Sequence, residues 1–233
     1  MNNPLQFPAS TIVDRLIPKA QFVKASNTPT AMRSLLAEEF EQIRLLYVLR
    51  PDTVNVAECN EIKEIDVFLF RCKTEHYSIN HFCGIDDLIP RHTIYIIEHG
   101  NHTDLLMQHK RRSVVAGTVK WSREVSKLLT DIDLSTRPLQ IEGQNLDRVY
   151  FNFFSQMTGY QIDNSAAITE IKELETRIAK MKREAENLQK RVRNEKQFNR
   201  QIGLNSQART LKREIAELET QLSNLKNNKT PNI

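Results

Sequence analysis

The 233-residue chain is 39% hydrophobic and 27% charged, with a formal net charge of +4, which allows one modest core of about 150 residues plus an accessory element, or two small domains. Only six glycines are present and neither GxxxxGK[ST] nor GxGxxG occurs, so the Gly-rich nucleotide-binding loops are excluded. No run approaches 18 apolar residues, and MNNPLQFPAS has neither the charged nor the apolar region of a secretory signal, so no membrane span is expected.

The charge is unevenly distributed. From Asn164 onward there are 15 Lys and Arg against 9 Asp and Glu, whereas residues 1–163 hold 18 basic and 20 acidic residues. The basic character therefore belongs to the C-terminal part, and any polyanion contact is expected there. Cys59, Cys72 and Cys83 fit neither a disulfide framework nor paired-cysteine zinc spacing, and a cytoplasmic location is expected.

In chain order, Ser10 or Thr11 reads as the cap of a short helix through Ile17, ended by Pro18. Thr30 to about Gln42 reads as helix, and Ile43 to Leu49 as strand or as the end of that helix. Ile65 to Phe70 and Thr93 to Ile97 are runs of β-formers and read as strands, with a short helix Ile79 to Leu88 between them. His102 to Gln108 and Ser113 to Trp121 read as two further strands around a basic turn at Lys110-Arg111-Arg112. Leu146 to about Met157 reads as a helix ended by Gly159. Strands interleaved with short helices give residues 1–163 an α/β class, with mixed α+β as the alternative.

From Ile168 the pattern changes. Ile171, Leu174, Ile178, Met181, Ala185, Leu188 and Val192 recur at spacings of three and four, a heptad stripe, and Ala208, Leu211, Ile215, Leu218, Leu222 and Leu225 form a second. The second stripe is two residues out of phase with the first, and Gly203 and Asn205 are turn-competent. Residues 164–228 therefore read as an antiparallel coiled-coil hairpin broken near 201–207, with an interrupted rod at the centre of a dimer as the competing geometry. Phe198, Ile202 and Leu204 fall beside the break, where they either cap the seam or contact a partner.

Several segments carry a family resemblance: Phe7-Pro8-Ala9-Ser10-Thr11, Ile17-Pro18-Lys19 with Phe22, the strand Ile65 to Phe70, Gly84 to Pro90 leading into Ile94 to Ile97, Trp121, Gly143-Gln144-Asn145-Leu146, and Glu195 to Gln201 followed by Leu204-Asn205. Together they resemble an uncharacterised bacterial family, domain of unknown function 4391, over essentially the whole chain. The resemblance implies a bacterial or archaeal protein from a gene neighbourhood of helicases and DNA methyltransferases of the restriction and defence type. It implies no chemistry and transfers no catalytic residue.

The chemistry-bearing residue types form few constellations. All six histidines lie between His76 and His109, and a pair such as His99 and His102 with Glu98 or Asp104 has metal-ligand chemistry but no recognised ligand motif. Pro51-Asp52 followed by Glu61-Ile62-Lys63 has the letters of a Mg²⁺-nuclease site, although the Glu-x-Lys triplet precedes the apolar strand instead of lying within it. No catalytic residue, metal or cofactor is assigned. The favoured reading is a non-enzymatic accessory or scaffolding subunit that assembles through the coiled coil with a protein partner, such as a helicase or methyltransferase complex, or with itself. The alternative is a nucleic-acid-binding subunit using Lys182, Arg183, Lys190, Arg191, Arg193, Lys196 and Arg200, and the third is the nuclease.

Overall fold

The computed structural model describes residues 3–23, 30–59, 61–115 and 118–226. By contacts the chain forms two compact units, divided between Asn164 and Ser165. Among the described residues, no helix is long and apolar enough to cross a membrane.

The first unit is built on one six-stranded sheet in sequential order. Its strands are β1 (Ile12–Leu16), β2 (Phe40–Leu49), β3 (Ile65–Cys72), β4 (His92–His99), β5 (His102–Val115) and β6 (Thr118–Leu129). All neighbours are antiparallel except β3 and β4, which run parallel. A parallel pair cannot be joined by a tight turn, and helix α4 (Ile79–Asp87) supplies the crossover. Ile65 through Phe70 are all buried, as expected where helices cover both faces of a central strand.

On one face Phe68, Phe70, Tyr95 and Leu106 pack with Phe82 and Ile85 of α4 and with Leu36 of α2 (Thr30–Glu39). The other face meets α5 (Leu146–Thr158), whose Tyr150, Phe151 and Phe154 surround His109. Asn145 caps α5 by accepting from Arg148 N, and Gly159 ends it at φ 73° with its N–H on Ser155 O. Two short helices, α1 (Lys19–Val23) and α3 (Pro51–Val54), complete the unit.

Two expectations for the first unit change. The segment read as a capped helix from Ser10 to Ile17 is a single 3-10 turn, Ala9–Thr11, followed by β1. Eight residues, cap included, are too few for a helix to be stable unaided, whereas pairing with β2 supplies hydrogen bonds directly. The turn expected at Lys110–Arg112 lies inside β5, which continues to Val115 with a register shift between His109 and Lys110. Lys110 stays within the strand because its charge is met in the core, as described below.

The second unit is two long helices, α6 (Ser165–Asn194) and α7 (Phe198–Asn224). Ile178, Met181 and Ala185 of α6 pack with Ile215 and Leu218 of α7, flanked by Leu174, Leu211 and Leu222. Gln201 Nε2 donates to Val192 O at 3.1 Å, and Lys182 Nζ lies 2.7 Å from Glu219. Moving from Val192 back to Lys182 thus advances from Gln201 to Glu219, so the helices run antiparallel. The connection is Glu195–Gln197, and the expected break near 201–207 falls inside α7 instead. Gly203 is helical there, at a position where turn competence is not used.

Candidate functional site

Three places in the described residues concentrate polar or exposed apolar chemistry. The first is a depression of about 320 Å³ on the first unit, lined by Ser10, Val13, Arg15, Arg50, Glu64 and Arg91 among others. Its shape originates in β1. Ile12 pairs with Tyr47 and Arg15 with Leu45, so β1 carries one extra residue over that interval. Asp14 takes a left-handed φ of 44°, unusual for a residue with a Cβ. Arg44 holds it there, donating from Nε to Asp14 Oδ1 and from Nη2 to Asp14 O, both at 2.8 Å.

Across the depression, Arg91 Nη1 lies 3.0 Å from Glu64 Oε1 and 3.1 Å from Asp66 Oδ2. Asp66 is only 1% exposed, and its other oxygen has no hydrogen-bond partner. Burial pushes its carboxyl up to about 6, Glu64 adds to the rise, and Arg91 opposes it. Arg50 Nε lies 3.4 Å from Asp52. Among the described residues no carboxylate pairs with Arg15.

The second place is a buried cluster at the C-terminal end of α4. Lys110 Nζ donates to Asp86 Oδ1 at 3.0 Å, to Asp86 O at 3.2 Å and to Ile89 O at 2.8 Å. All three ammonium protons are thereby engaged, on two carbonyls from the end of α4 and one carboxylate. Thr93 Oγ1 and Tyr95 OH donate to the same Asp86 oxygen. Burial pushes Lys110 down while Asp86 pulls it up. Lys110 also sits 5.8 Å from the Trp121 ring centroid. Lys110 and Asp86 are at most 2% exposed, and the cluster ties β5 to α4.

Beside it, on the opposite side of the sheet, His92 and His109 surround Tyr150. Burial lowers His92 to about 3, with His109 and Lys110 adding to the effect, and lowers His109 to about 4, with Arg111 adding. His109 Nε2 lies 3.7 Å from Glu124. With the ring neutral near pH 7, that approach is no ion pair.

The third place is the end of the helical pair. Phe198 is 72% exposed and Ile202 52%, while Leu204 is half-buried. Phe198 and Ile202 are one helical turn apart and share a face. Lys182, Arg183, Lys190, Arg191, Arg193, Lys196 and Arg200 are all exposed. Lys182 is paired with Glu219, and among the described residues no carboxylate pairs with Lys190, Arg191, Arg193, Lys196 or Arg200.

Other sequence-based candidates dissolve into local contacts. His99 Nε2 lies 3.0 Å from Asp104, and His102 Nδ1 lies 2.8 Å from Asp131. Glu98 pairs with Arg71 at 2.9 Å. Asp52 is taken by Arg50, Glu61 is exposed in the approach to β3, and Lys63 Nζ donates to Cys59 O. Among the described residues no group of three His, Cys, Asp or Glu side chains can hold a metal ion. The residues around the β1 depression escaped the sequence reading. Their one signal was Asp66, a carboxylate inside an otherwise apolar strand.

The model of the family described as "Domain of unknown function (DUF4391)" matches residues 5–215, and the chain belongs to that family. No curated protein and no solved structure matches the chain.

Proposed function

We propose that this member of the DUF4391 family is a binding subunit that docks a protein partner through the connected end of α6 and α7. The carrying observation is the exposure of Phe198 and Ile202 on one face of the first turns of α7. A large aromatic and a β-branched side chain left in water at a helix end are anchors of the kind that fill pockets at interfaces. Lys190, Arg191, Arg193, Lys196 and Arg200, which no carboxylate pairs with among the described residues, accompany them, and between 190 and 200 the sequence opposes them only with Glu195. The complementary surface is therefore an apolar notch with an acidic rim, and its association rate falls as salt screens the rim.

The same cations support a second reading, contact with a nucleic-acid backbone along α6. Thirty residues at 1.5 Å each span about 45 Å, enough to follow a phosphate track. The restriction-type setting rests on the family resemblance alone.

Affinity capture from the native organism, with wild type beside a Phe198→Ser/Ile202→Ser variant, tests the protein reading. A stoichiometric protein retained by the wild type and lost from an equally stable variant is expected. If both chains retain the same proteins, the docking role is removed. If instead a duplex binds the wild type, weakens steeply with salt and is lost on charge reversal of Lys190, Arg191 and Arg193, the nucleic-acid reading replaces it.

A further inference from the structure

The depression beside β1 combines three features of separate origin. A bulge in a strand re-aims the side chains next to it, and a left-handed non-glycine persists only where surroundings hold it. Here Arg44 clamps Asp14, and both neighbours of Asp14, Val13 and Arg15, line the depression. The second feature is a set of donors: Arg15, Arg50 and Arg91 line the depression, Arg50 beside Asp52 and Arg91 beside Glu64 and Asp66, while no carboxylate among the described residues pairs with Arg15. Arg91 meets Glu64 and Asp66 through Nη1 alone, so Nε and Nη2 remain available as donors. The third is Asp66, whose buried carboxyl meets Arg91 at 3.1 Å and fixes that side chain in position.

We propose that this depression binds a small compound carrying a doubly charged oxyanion, a phosphate monoester or a dicarboxylate. Arg15 and Arg50 contact the anion, and Arg91, positioned by Glu64 and Asp66, completes the grip. Guanidinium forks match planar or tetrahedral oxyanions through paired N–H donors, and a doubly charged oxyanion has acceptors enough to engage more than one fork at once. The volume holds roughly ten waters at about 30 Å³ each, near the lower end of ligand sites. Ser10 Oγ donates to Thr53 O at 2.6 Å and so keeps its lone pairs for a hydroxyl or amino group of the ligand. The site lies wholly in the first unit and stands independently of the helical pair.

The test is calorimetric titration of the full chain with glycerol phosphate, with succinate, and with acetate as the singly charged control. Saturable binding of one dianion in the range of about 0.1–1 mM is expected, with no saturation by acetate. Tighter glycerol phosphate identifies a phosphoryl ligand, and tighter succinate a dicarboxylate. Arg15→Gln, which breaks no ion pair among the described residues, is expected to weaken binding about tenfold or more. Arg91→Gln is expected to do the same, with its unfolding curve recorded to separate lost binding from lost fold. Absence of saturation by both dianions up to about 10 mM, or unchanged affinity in Arg15→Gln, overturns the proposal.

Discussion

Lys110 is the residue where local reading and tertiary context diverge most. In sequence it opens a run of three cations and reads as part of a turn. In the fold its ammonium has three acceptors and bridges β5 to the end of α4. Nothing within several residues of it encodes Asp86 as its partner, so the error was not correctable from local pattern. Removing one partner of a buried pair strands the other charge, and Lys110→Met is expected to cost about 3–5 kcal/mol. Adding Asp86→Asn removes the stranded charge, so the double variant is expected to be more stable than Lys110→Met alone in urea unfolding. A double variant destabilised by the full sum of the two single losses would contradict a coupled pair.

The buried titratable groups also set an acid response. His92 and His109 stay neutral in the folded chain down to about 3 and about 4, whereas unfolded histidine takes up a proton below about 6.5. Each therefore draws stability away as pH falls below about 6.5, at up to about 1.4 kcal/mol per pH unit. Asp66 acts oppositely. Its carboxyl, raised to about 6, holds a proton that the unfolded chain has released, so its contribution favours the folded state as pH falls through 6. Two histidines against one aspartate leave a net loss on acidification between about pH 6 and 4. Urea unfolding across that range, on wild type and His109→Asn, is expected to show a shallower decline in the variant. Parallel curves would place His109 outside the acid response.

At the scale of elements, legibility tracked how much each segment decides for itself. Ile65 to Phe70, Thr93 to Ile97 and Leu146 to Met157 lie close to their observed bounds, because β-branched density, 3.6-residue periodicity and a glycine stop act locally. β1 is five residues at a sheet edge and exists through β2, a partner more than 20 residues away. The helical pair shows the reverse. Both stripes are legible, but their offset coincides with the turn-competent Gly203 and Asn205, near 201–207, whereas the chain turns at Glu195–Gln197. A solvated three-residue connection of ordinary polar residues leaves a fainter trace than a glycine. Because Gly203 lies inside α7 with open space where a Cβ would stand, Gly203→Ala is expected to stabilise the chain by about 1 kcal/mol. An unchanged or lowered thermal midpoint would indicate that α7 is interrupted there.

For the molecule as a whole, the asymmetry in charge between residues 1–163 and the remainder corresponds to a difference in construction. The first unit buries large side chains on both faces of its sheet, while the second buries one seam and leaves its cations in water. What sequence could not supply was the depression beside β1, since its residues come from positions 10 to 91 and converge only through sheet pairing and the bulge. The exposure of Phe198 was equally hidden, because the reading allowed it either to cap the seam or to face a partner. The docking account is tested most directly by replacing Phe198 with a photo-reactive phenylalanine analogue in the native organism, with the same probe at exposed Arg213 as control. A light-dependent crosslink to one partner protein from position 198, absent from position 213, is the result the account predicts. No crosslink from 198, or the same products in equal yield from both positions, would contradict it.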